Sequence, residues 1–352
     1  MDSCLVLEDG TIYQGQGFGS RGIQTGEVVF NTSMTGYQEI LTDPASYGQI
    51  IVFTYPLLGN YGITSSGFES ARTWASGLVV KEHCVAPSNW QSMMSLEQFC
   101  KQNNLIGISG IDTRALAKHL RDKGTMRGVI STGSHDISQL VQATQQDAPQ
   151  SEKDLVKDVS IKESRVFGEG KHRVVVVDLG LRKGLVNYLL QHNFAVIQVP
   201  VWATAGEIMK HEPDRVVLAG GPGEPIFNSH VVALAQQLIG KVPILGISLG
   251  HLVLGLVWGG RIQRLKFGHR GANQPVRDLK TGRVYITSQN HGYVVGDNLP
   301  TDVVVTQRNL NDGTIEGMRH RRLPVFSYQF YPLEEPGAAD INLYFEEFLA
   351  VC

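Results

Sequence analysis

The chain has few cysteines and no long hydrophobic run. Its 352 residues include four cysteines, none in C-x-x-C spacing, which argues against a zinc site or a disulfide scaffold. No apolar run approaches the ~18 residues of a membrane span, and the N-terminus lacks the charged and apolar regions of a signal peptide. We therefore expect a cytoplasmic protein with no metal site and no membrane segment.

Charge of either sign is also scarce. The formal net charge is -2, so no broad basic field is available to attract nucleic acid, and nucleic-acid binding is not expected. The basic cluster Arg319–Arg322 is interpreted as a solvated loop. With 42% hydrophobic residues, a chain of this length predicts two domains with sizeable cores.

The least regular stretch of the sequence separates the two predicted domains. Residues 143–172 are polar, carry scattered charge, and contain Pro149, Gly168 and Gly170 without a helical or strand period. Such a composition is typical of a linker. We predict an N-terminal domain at 1–142, a linker at 143–172 and a C-terminal domain at 173–352.

The C-terminal domain shows short apolar runs that alternate with helical patterns. Continuous β-branched and aliphatic runs indicate strands buried on both faces, and strand–helix alternation predicts an α/β fold with a mostly parallel sheet. A final helix is predicted from an N-cap at Asp340. The predicted strands are Val174–Val177, Ala195–Val199, Val216–Ala219 and Val242–Ile247.

The N-terminal domain is predicted to be mixed α/β. Cys4–Leu7, Glu27–Phe30 and Ile50–Thr54 have strand character and are separated by glycine-rich turns. A helix is predicted to begin at Asp112-Thr113 and to stop at Gly124. Periodicity alone assigns no chemistry to this half.

One pentapeptide carries the clearest chemical signal. Gly246–Gly250 reads G-I-S-L-G directly after a buried strand, the pattern of a nucleophile elbow with Ser248 at its tip. A serine nucleophile needs a histidine base and a carboxylate that orients it. The downstream histidines are His251 on the elbow helix, His291 in a predicted turn, His320 in the basic loop, and His269, and none follows a late strand with a well-spaced acidic partner. A serine hydrolase is therefore a weak alternative.

Several longer segments identify a family. The chain resembles the small subunit of carbamoyl-phosphate synthase over nearly its whole length. The segments that carry the resemblance are long, ungapped and spread through both halves: Leu7–Thr11, Gly26–Pro44, Gly107–Arg114, Lys266–His269 and Ser288–Gly292.

The resemblance implies an architecture and an activity. An N-terminal domain particular to this subunit would precede a class I glutamine amidotransferase domain. In the family that second domain hydrolyses glutamine, and the ammonia passes to a large subunit that makes carbamoyl phosphate for pyrimidine and arginine synthesis. ATP and magnesium would be used by the large subunit, so no cofactor is expected in this chain.

The family's catalytic residues are replaced in this chain. Carried over residue by residue, the nucleophilic cysteine falls on Ser248, the histidine base on Tyr331 and the glutamate on Leu333. An engineered cysteine-to-serine change would explain Ser248 alone, whereas natural degeneration explains all three positions.

The family's glutamine-binding positions are partly kept. A glutamine side chain that holds the substrate falls on Leu252, and a serine from the first domain falls on Ala45, beside Ser46; both positions depart from the family. Leu249 can supply its backbone N–H whatever its side chain. The positions that match are Gly221, Gly223, Asn290, Gly292 and the aromatic Tyr293.

These departures predict a loss of glutamine hydrolysis. A serine hydroxyl is less ionised than a thiol, and a phenol with an ordinary pKa near 10 is a poor proton acceptor at neutral pH. Losing a general base costs about 10²–10⁴-fold in rate. Glutamine is therefore doubtful as a ligand, and we predict a structural or ammonia-dependent subunit. A non-catalytic ligand-binding or regulatory paralogue and an ordinary active glutaminase remain alternatives.

Overall fold

A computed structural model describes residues 2–133, 136–146, 153–333 and 343–350. The chain divides into two compact units, the first comprising residues 1–153 with 266–271, the second 154–265 with 272–352. Within the described residues, no helix is long and apolar enough to cross a membrane.

The first unit is built around a closed barrel. Seven of its described strands form the barrel in the order β1-β2-β8-β6-β4-β3-β9, and β5 pairs with β7 separately. The elements are β1 Asp2–Leu7, β2 Ile12–Gly19, β3 Ile23–Asn31, α1 Tyr37–Thr42, β4 Gln49–Phe53, β5 Leu57–Leu58, β6 Gly77–Val79, β7 Glu82–His83, α2 Leu96–Gln102, β8 Ile106–Ser109, α3 Thr113–Lys123, β9 Met126–Thr132 and α4 Ile137–Gln146.

The predicted strands and helix of this unit are confirmed. Helix α3 begins after Asp112, whose side chain accepts a hydrogen bond from the Ala115 N–H at 2.9 Å. It ends at Gly124, which has a φ of 102°, a conformation that glycine adopts at little cost. The mixed α/β prediction is therefore right, although barrel closure goes beyond it.

The second unit is a sheet of ten described strands with helices packed on it. The sheet order is β10-β12-β11-β13-β14-β19-β18-β17-β15-β16. The elements are α5 Val156–Val159, β10 Arg165–Phe167, β11 His172–Asp178, α6 Lys183–Gln191, β12 Phe194–Pro200, α7 Ala205–Met209, β13 Arg215–Leu218, α8 Ser229–Leu238, β14 Ile244–Ile247, α9 Leu249–Val257, β15 Ile262–Asp278, β16 Val284–Val295, β17 Val303–Asn309, β18 Ile315–His320, β19 Val325–Tyr328 and α10 Leu343–Leu349.

The central strands of this sheet are parallel, as the alternating pattern predicts. β12, β11, β13, β14 and β19 pair in parallel. Beyond β19, the pairs β19–β18, β18–β17 and β17–β15 are antiparallel. The valines of β11 alternate between two apolar clusters on opposite faces, Val175 and Val177 in one and Val174 and Val176 in the other. Burial on both faces explains why these strands read as continuous apolar runs. The α/β fold is confirmed, and its parallel part consists of these five central strands.

The predicted linker, residues 143–172, does not separate the two units as a single unstructured segment. Helix α4 extends to Gln146, residues 147–152 lie outside the described residues, and 154–172 belong to the second unit. There β10 pairs antiparallel with β12, Val166 opposite Ile197. A three-residue edge strand of this kind has no periodicity that the sequence could reveal. The domain limits at 142 and 173 stay predictions.

The last described helix packs as predicted. Tyr344, Phe345 and Phe348 of α10 are buried in the same apolar cluster as Phe326 and Phe330. The predicted N-cap, Asp340, lies outside the described residues.

Candidate functional site

The elbow is formed where β14 ends and α9 begins. Ser248 has φ 52° and ψ -104°, a strained conformation for a residue with a side chain. Its N–H donates to the Tyr328 carbonyl oxygen at 2.8 Å, which fixes the turn against β19. The predicted strand–elbow–helix geometry is therefore present, with Ser248 beyond the carboxyl end of a parallel strand, where ligands bind in such sheets.

The elbow glycines are required by packing. A Cβ on Gly246 would lie 2.5 Å from the Gly250 carbonyl oxygen, and a Cβ on Gly250 would collide with the Leu218 carbonyl oxygen on β13. Any larger residue would push the helix away from the sheet. These glycines are therefore needed for the fold whether or not the elbow performs chemistry.

Tyr331 is the residue onto which the resemblance carries the histidine base. Its N–H donates to the Ser288 carbonyl oxygen at 3.1 Å, and its side chain is 9% exposed. The Arg182 guanidinium lies over the ring, with Cζ 4.2 Å from the ring centroid. Such a cation–π contact contributes about 0.5–2 kcal/mol. The base position thus holds a packed aromatic ring beneath a cation.

Leu333 is the residue onto which the resemblance carries the orienting glutamate. It is 3% exposed and belongs to the same apolar cluster as Tyr331 and Ile247. A leucine side chain offers no hydrogen-bond acceptor and no charge. The geometry at these two positions is that of a hydrophobic core.

The histidines near this part of the sheet are engaged elsewhere. His251 is fully buried on α9, and its Nδ1 is hydrogen-bonded to Ser327 Oγ at 3.0 Å. Burial lowers the pKa of His251 to about 3, so the ring is neutral at pH 7. His291 Nδ1 contacts the Tyr293 carbonyl oxygen at 2.9 Å and His291 Nε2 contacts Gln289 Oε1 at 2.9 Å. These contacts give no support to a serine hydrolase with either ring as the base.

His320 is likewise engaged, because its Nδ1 accepts hydrogen bonds from the Arg322 and Leu323 N–H groups at 3.2 and 3.0 Å. His269 belongs to the other unit. The weak serine-hydrolase alternative thus gains no partner from the described contacts of the second unit.

The backbone on the oxyanion side of the elbow keeps its shape. Gly221 follows β13, and a Cβ there would collide with the Leu179 carbonyl oxygen. Gly223 has a φ of 86°, which favours glycine. Leu249 is the first residue of α9, where a helix provides no internal partner for the N–H. The conformation of this turn therefore allows its backbone N–H groups to serve as hydrogen-bond donors.

An apolar residue, Leu252, is the one onto which the resemblance carries a substrate-holding glutamine. Leu252 lies one turn into α9, its N–H donates to the Ser248 carbonyl oxygen at 3.1 Å, and its side chain is 3% exposed. It packs in the cluster that contains Leu249 and Val253. The side chain cannot form the hydrogen bonds that a glutamine would.

The remaining predicted positions lie on β16 and in the first unit. Asn290, Gly292 and Tyr293 are inside strand β16, so the prediction of a turn around His291 is wrong. Asn and Gly favour turns, but here both residues lie within the twelve-residue strand Val284–Val295. Ala45 lies in a short 3-10 turn of the first unit, and its N–H donates to Asp43 Oδ1 at 2.9 Å.

Arg182 was missed by the sequence analysis. It directly precedes α6, just after the carboxyl end of β11. Its place beyond a parallel strand is the signal that could have drawn attention to it.

The chain matches two family models. Residues 5–130 match the model for the carbamoyl-phosphate synthase small chain, CPSase domain. Residues 175–351 match the model for class I glutamine amidotransferases.

Curated relatives match almost end to end. The carbamoyl phosphate synthase small chain of Syntrophotalea carbinolica is 45% identical, over 99% of this chain and 97% of its own length. The small chain of Bacillus caldolyticus is also 45% identical, over 99% of this chain and 95% of its own. The chain belongs to the carbamoyl phosphate synthase small chain family. A further relative, described as the pyrimidine-specific small chain of Halalkalibacterium halodurans, is 46% identical over 98% of this chain and 95% of its own.

The region that matches the class I amidotransferase model includes the sheet of the second unit and the elbow at Ser248. The resemblance carries the family's cysteine, histidine and glutamate onto Ser248, Tyr331 and Leu333 of this chain.

Proposed function

We propose that this chain is a carbamoyl-phosphate synthase small subunit that has lost glutamine hydrolysis. It would dock on a large subunit, which would use free ammonia as the nitrogen donor. Near-complete coverage of small chains at about 45% identity supports the subunit role. The composition of the triad positions supports the loss.

The filled base position is the observation that carries this proposal. Tyr331 is a buried phenol beneath the Arg182 guanidinium, and Leu333 is buried in the same apolar cluster. A phenol near pH 7 is protonated and accepts a proton poorly, and nothing at Leu333 can orient or balance a charge. Without a base a serine hydroxyl at the elbow stays un-ionised, so neither acylation nor deacylation has a proton acceptor.

Substrate binding is affected together with the chemistry. A site that holds an amide through hydrogen bonds loses affinity when one partner becomes apolar, because the remaining polar groups stay unpaired. Leu252 makes that change on α9. We therefore propose that glutamine binds poorly and that the domain persists for its docking and structural roles.

The remaining parts of the proposal follow from the family. ATP and Mg²⁺ would belong to the large subunit, and this chain would hold neither. The product would feed pyrimidine or arginine synthesis, and the cytosol would be its location, as the sparse cysteines suggest.

Reconstitution tests the proposal directly. The purified chain is mixed with a carbamoyl-phosphate synthase large subunit, and carbamoyl phosphate is measured with glutamine or with ammonium as the nitrogen source. We expect ammonium-dependent product, and no glutamine-dependent product above the large subunit alone. An active small chain from one of the curated relatives serves as the positive control.

Two results would overturn the proposal in different ways. Robust glutamine-dependent synthesis would show that hydrolysis is retained. Failure of the chain to co-purify with any large subunit would exclude docking and would favour the non-catalytic ligand-binding paralogue.

A further inference from the structure

A cavity in the second unit lies away from the elbow. It has a volume of about 680 Å³ and opens beyond the carboxyl end of β12, the strand next to the edge of the sheet. In the sheet order β11 and β13 separate β12 from β14, the strand that leads to Ser248. This volume falls within the range of pockets for small molecules. None of the family positions discussed above lines it.

The wall of the cavity is held by hydrogen bonds. The Ile161 N–H donates to Asp178 Oδ2 at 2.8 Å, and Ser160 Oγ accepts from the Val201 N–H at 3.0 Å. Asp178 also accepts from the Gly180 and Leu181 N–H groups. These bonds tie the 160–162 segment to the ends of β11 and β12, so this side of the cavity is formed in the free chain.

The lining of the cavity includes an exposed aromatic ring. Trp202 lines the cavity and is 54% exposed. Large indoles are usually well buried, and a ring left open in a concave site is a platform on which a planar ligand can stack. Stacking of a base on an aromatic side chain contributes about 1–3 kcal/mol.

Cationic side chains share this cavity with the indole. Lys162 lines it from the tied segment, and Lys210 lines it from the end of α7. Among the described lining residues the only carboxylate is Glu207, whose Oε2 already accepts hydrogen bonds from the Thr204 N–H and hydroxyl, both at 2.8 Å. Those bonds hold the pKa of Glu207 below its ordinary value. The positive charge of Lys210 contributes to that lowering. The lining of the cavity thus carries two ammonium groups and one carboxylate, and Thr204 already donates hydrogen bonds to that carboxylate.

We propose that this cavity binds a nucleoside monophosphate, with the base stacked on Trp202 and the phosphate held by Lys162 and Lys210. The exposed indole suits the planar base of the nucleotide. The two lysines suit its phosphate, since ammonium groups are common phosphate ligands in proteins. The inference concerns a site apart from the elbow and does not depend on whether glutamine is hydrolysed.

Titration calorimetry of the full chain with AMP, adenosine and inorganic phosphate tests the proposal. We expect AMP to bind more tightly than either fragment. Trp202→Ala should weaken AMP binding by about tenfold or more, whereas Trp202→Phe should retain most of it. Lys162→Gln with Lys210→Gln should weaken AMP binding and flatten its dependence on salt, because the charge contacts are screened.

The matched control is Trp90→Ala, a change at another exposed tryptophan, 89% exposed, in the first unit. It should leave AMP binding unchanged. The proposal is overturned if AMP does not bind in the millimolar range, if Trp202→Ala and Trp90→Ala behave alike, or if adenosine or phosphate alone binds as well as AMP. Melting curves confirm that each variant is folded.

Discussion

Replacing Leu333 with glutamate, the residue that the resemblance predicts there, should destabilise this protein. Leu333 is 3% exposed within an apolar cluster. Losing the buried leucine costs about 1.5–3 kcal/mol. A buried carboxylate without a partner raises the total loss in the free energy of unfolding to about 3–5 kcal/mol. In a unit of this size that corresponds to a fall in Tm of about 6–20 °C.

The assay is thermal unfolding followed by circular dichroism, with Leu333→Met as the matched control. That change conserves volume and should cost less than about 1.5 kcal/mol. Burial would raise the pKa of the introduced carboxyl above its unfolded value near 4.3, so the ionisation part of the penalty grows as pH rises above ~4.3 and is absent below it, whereas the cost of the lost leucine remains at every pH. An unchanged Tm for Leu333→Glu at pH 7 would refute the assignment of Leu333 to the core.

A double-mutant cycle extends this prediction to Tyr331. If the two positions still adjoin as a base and its orienting group, Tyr331→His should recover part of the loss caused by Leu333→Glu, through a favourable coupling of about 0.5–3 kcal/mol. Additive effects of the two changes would show that the positions no longer face each other.

Three more predictions concern the elbow and its helix. Gly250→Ala should lower Tm because the added Cβ collides with the Leu218 carbonyl oxygen. Gly206→Ala is the control and should leave Tm unchanged, because nothing lies within 4 Å of its added Cβ. Equal melting curves of the two variants would contradict this. Since burial lowers the pKa of His251 to about 3, its stabilising contribution is complete above the unfolded pKa near 6.5 and falls as pH drops toward 3. We expect the free energy of unfolding to fall by about 2 kcal/mol between pH 7 and 5. The Tm of His251→Gln should depend less on pH than the Tm of the natural chain does. An equal pH dependence of the two would argue against a buried neutral ring. Ser248→Cys alone should yield no glutamate from glutamine in a coupled assay, because a thiol at the elbow still lacks its base; measurable turnover would show that another group supplies the base.

The second unit was largely predictable from the sequence because its signals are local. The apolar runs at Val174–Val177 and Val242–Ile247 are strands because burial on both faces requires continuous hydrophobicity, and the structure places β11 and β14 there. Ser248 follows β14 and Tyr331 follows β19, so both lie beyond the carboxyl ends of parallel strands. Gly246 and Gly250 were expected to permit a turn, and they also allow α9 to approach the sheet closely.

Other features depend on contacts distant in sequence. Closure of the barrel in the first unit requires β1 to pair with β9, for example Leu5 with Ile130, and no local pattern encodes such a pairing. Asn290 and Gly292 have turn propensities, yet the long strand β16 overrides them. The stacking of Arg182 on Tyr331 joins two strand ends that are separated by most of the domain sequence.

Release of glutamate from glutamine by the purified chain, with and without a large subunit, tests the central claim most directly. The matched comparison is a variant that carries Ser248→Cys, Tyr331→His, Leu333→Glu and Leu252→Gln together, assayed beside an active small chain of a curated relative. The account predicts no steady-state turnover by the natural chain in either condition. Turnover by the natural chain at the rate of the active relative would contradict it.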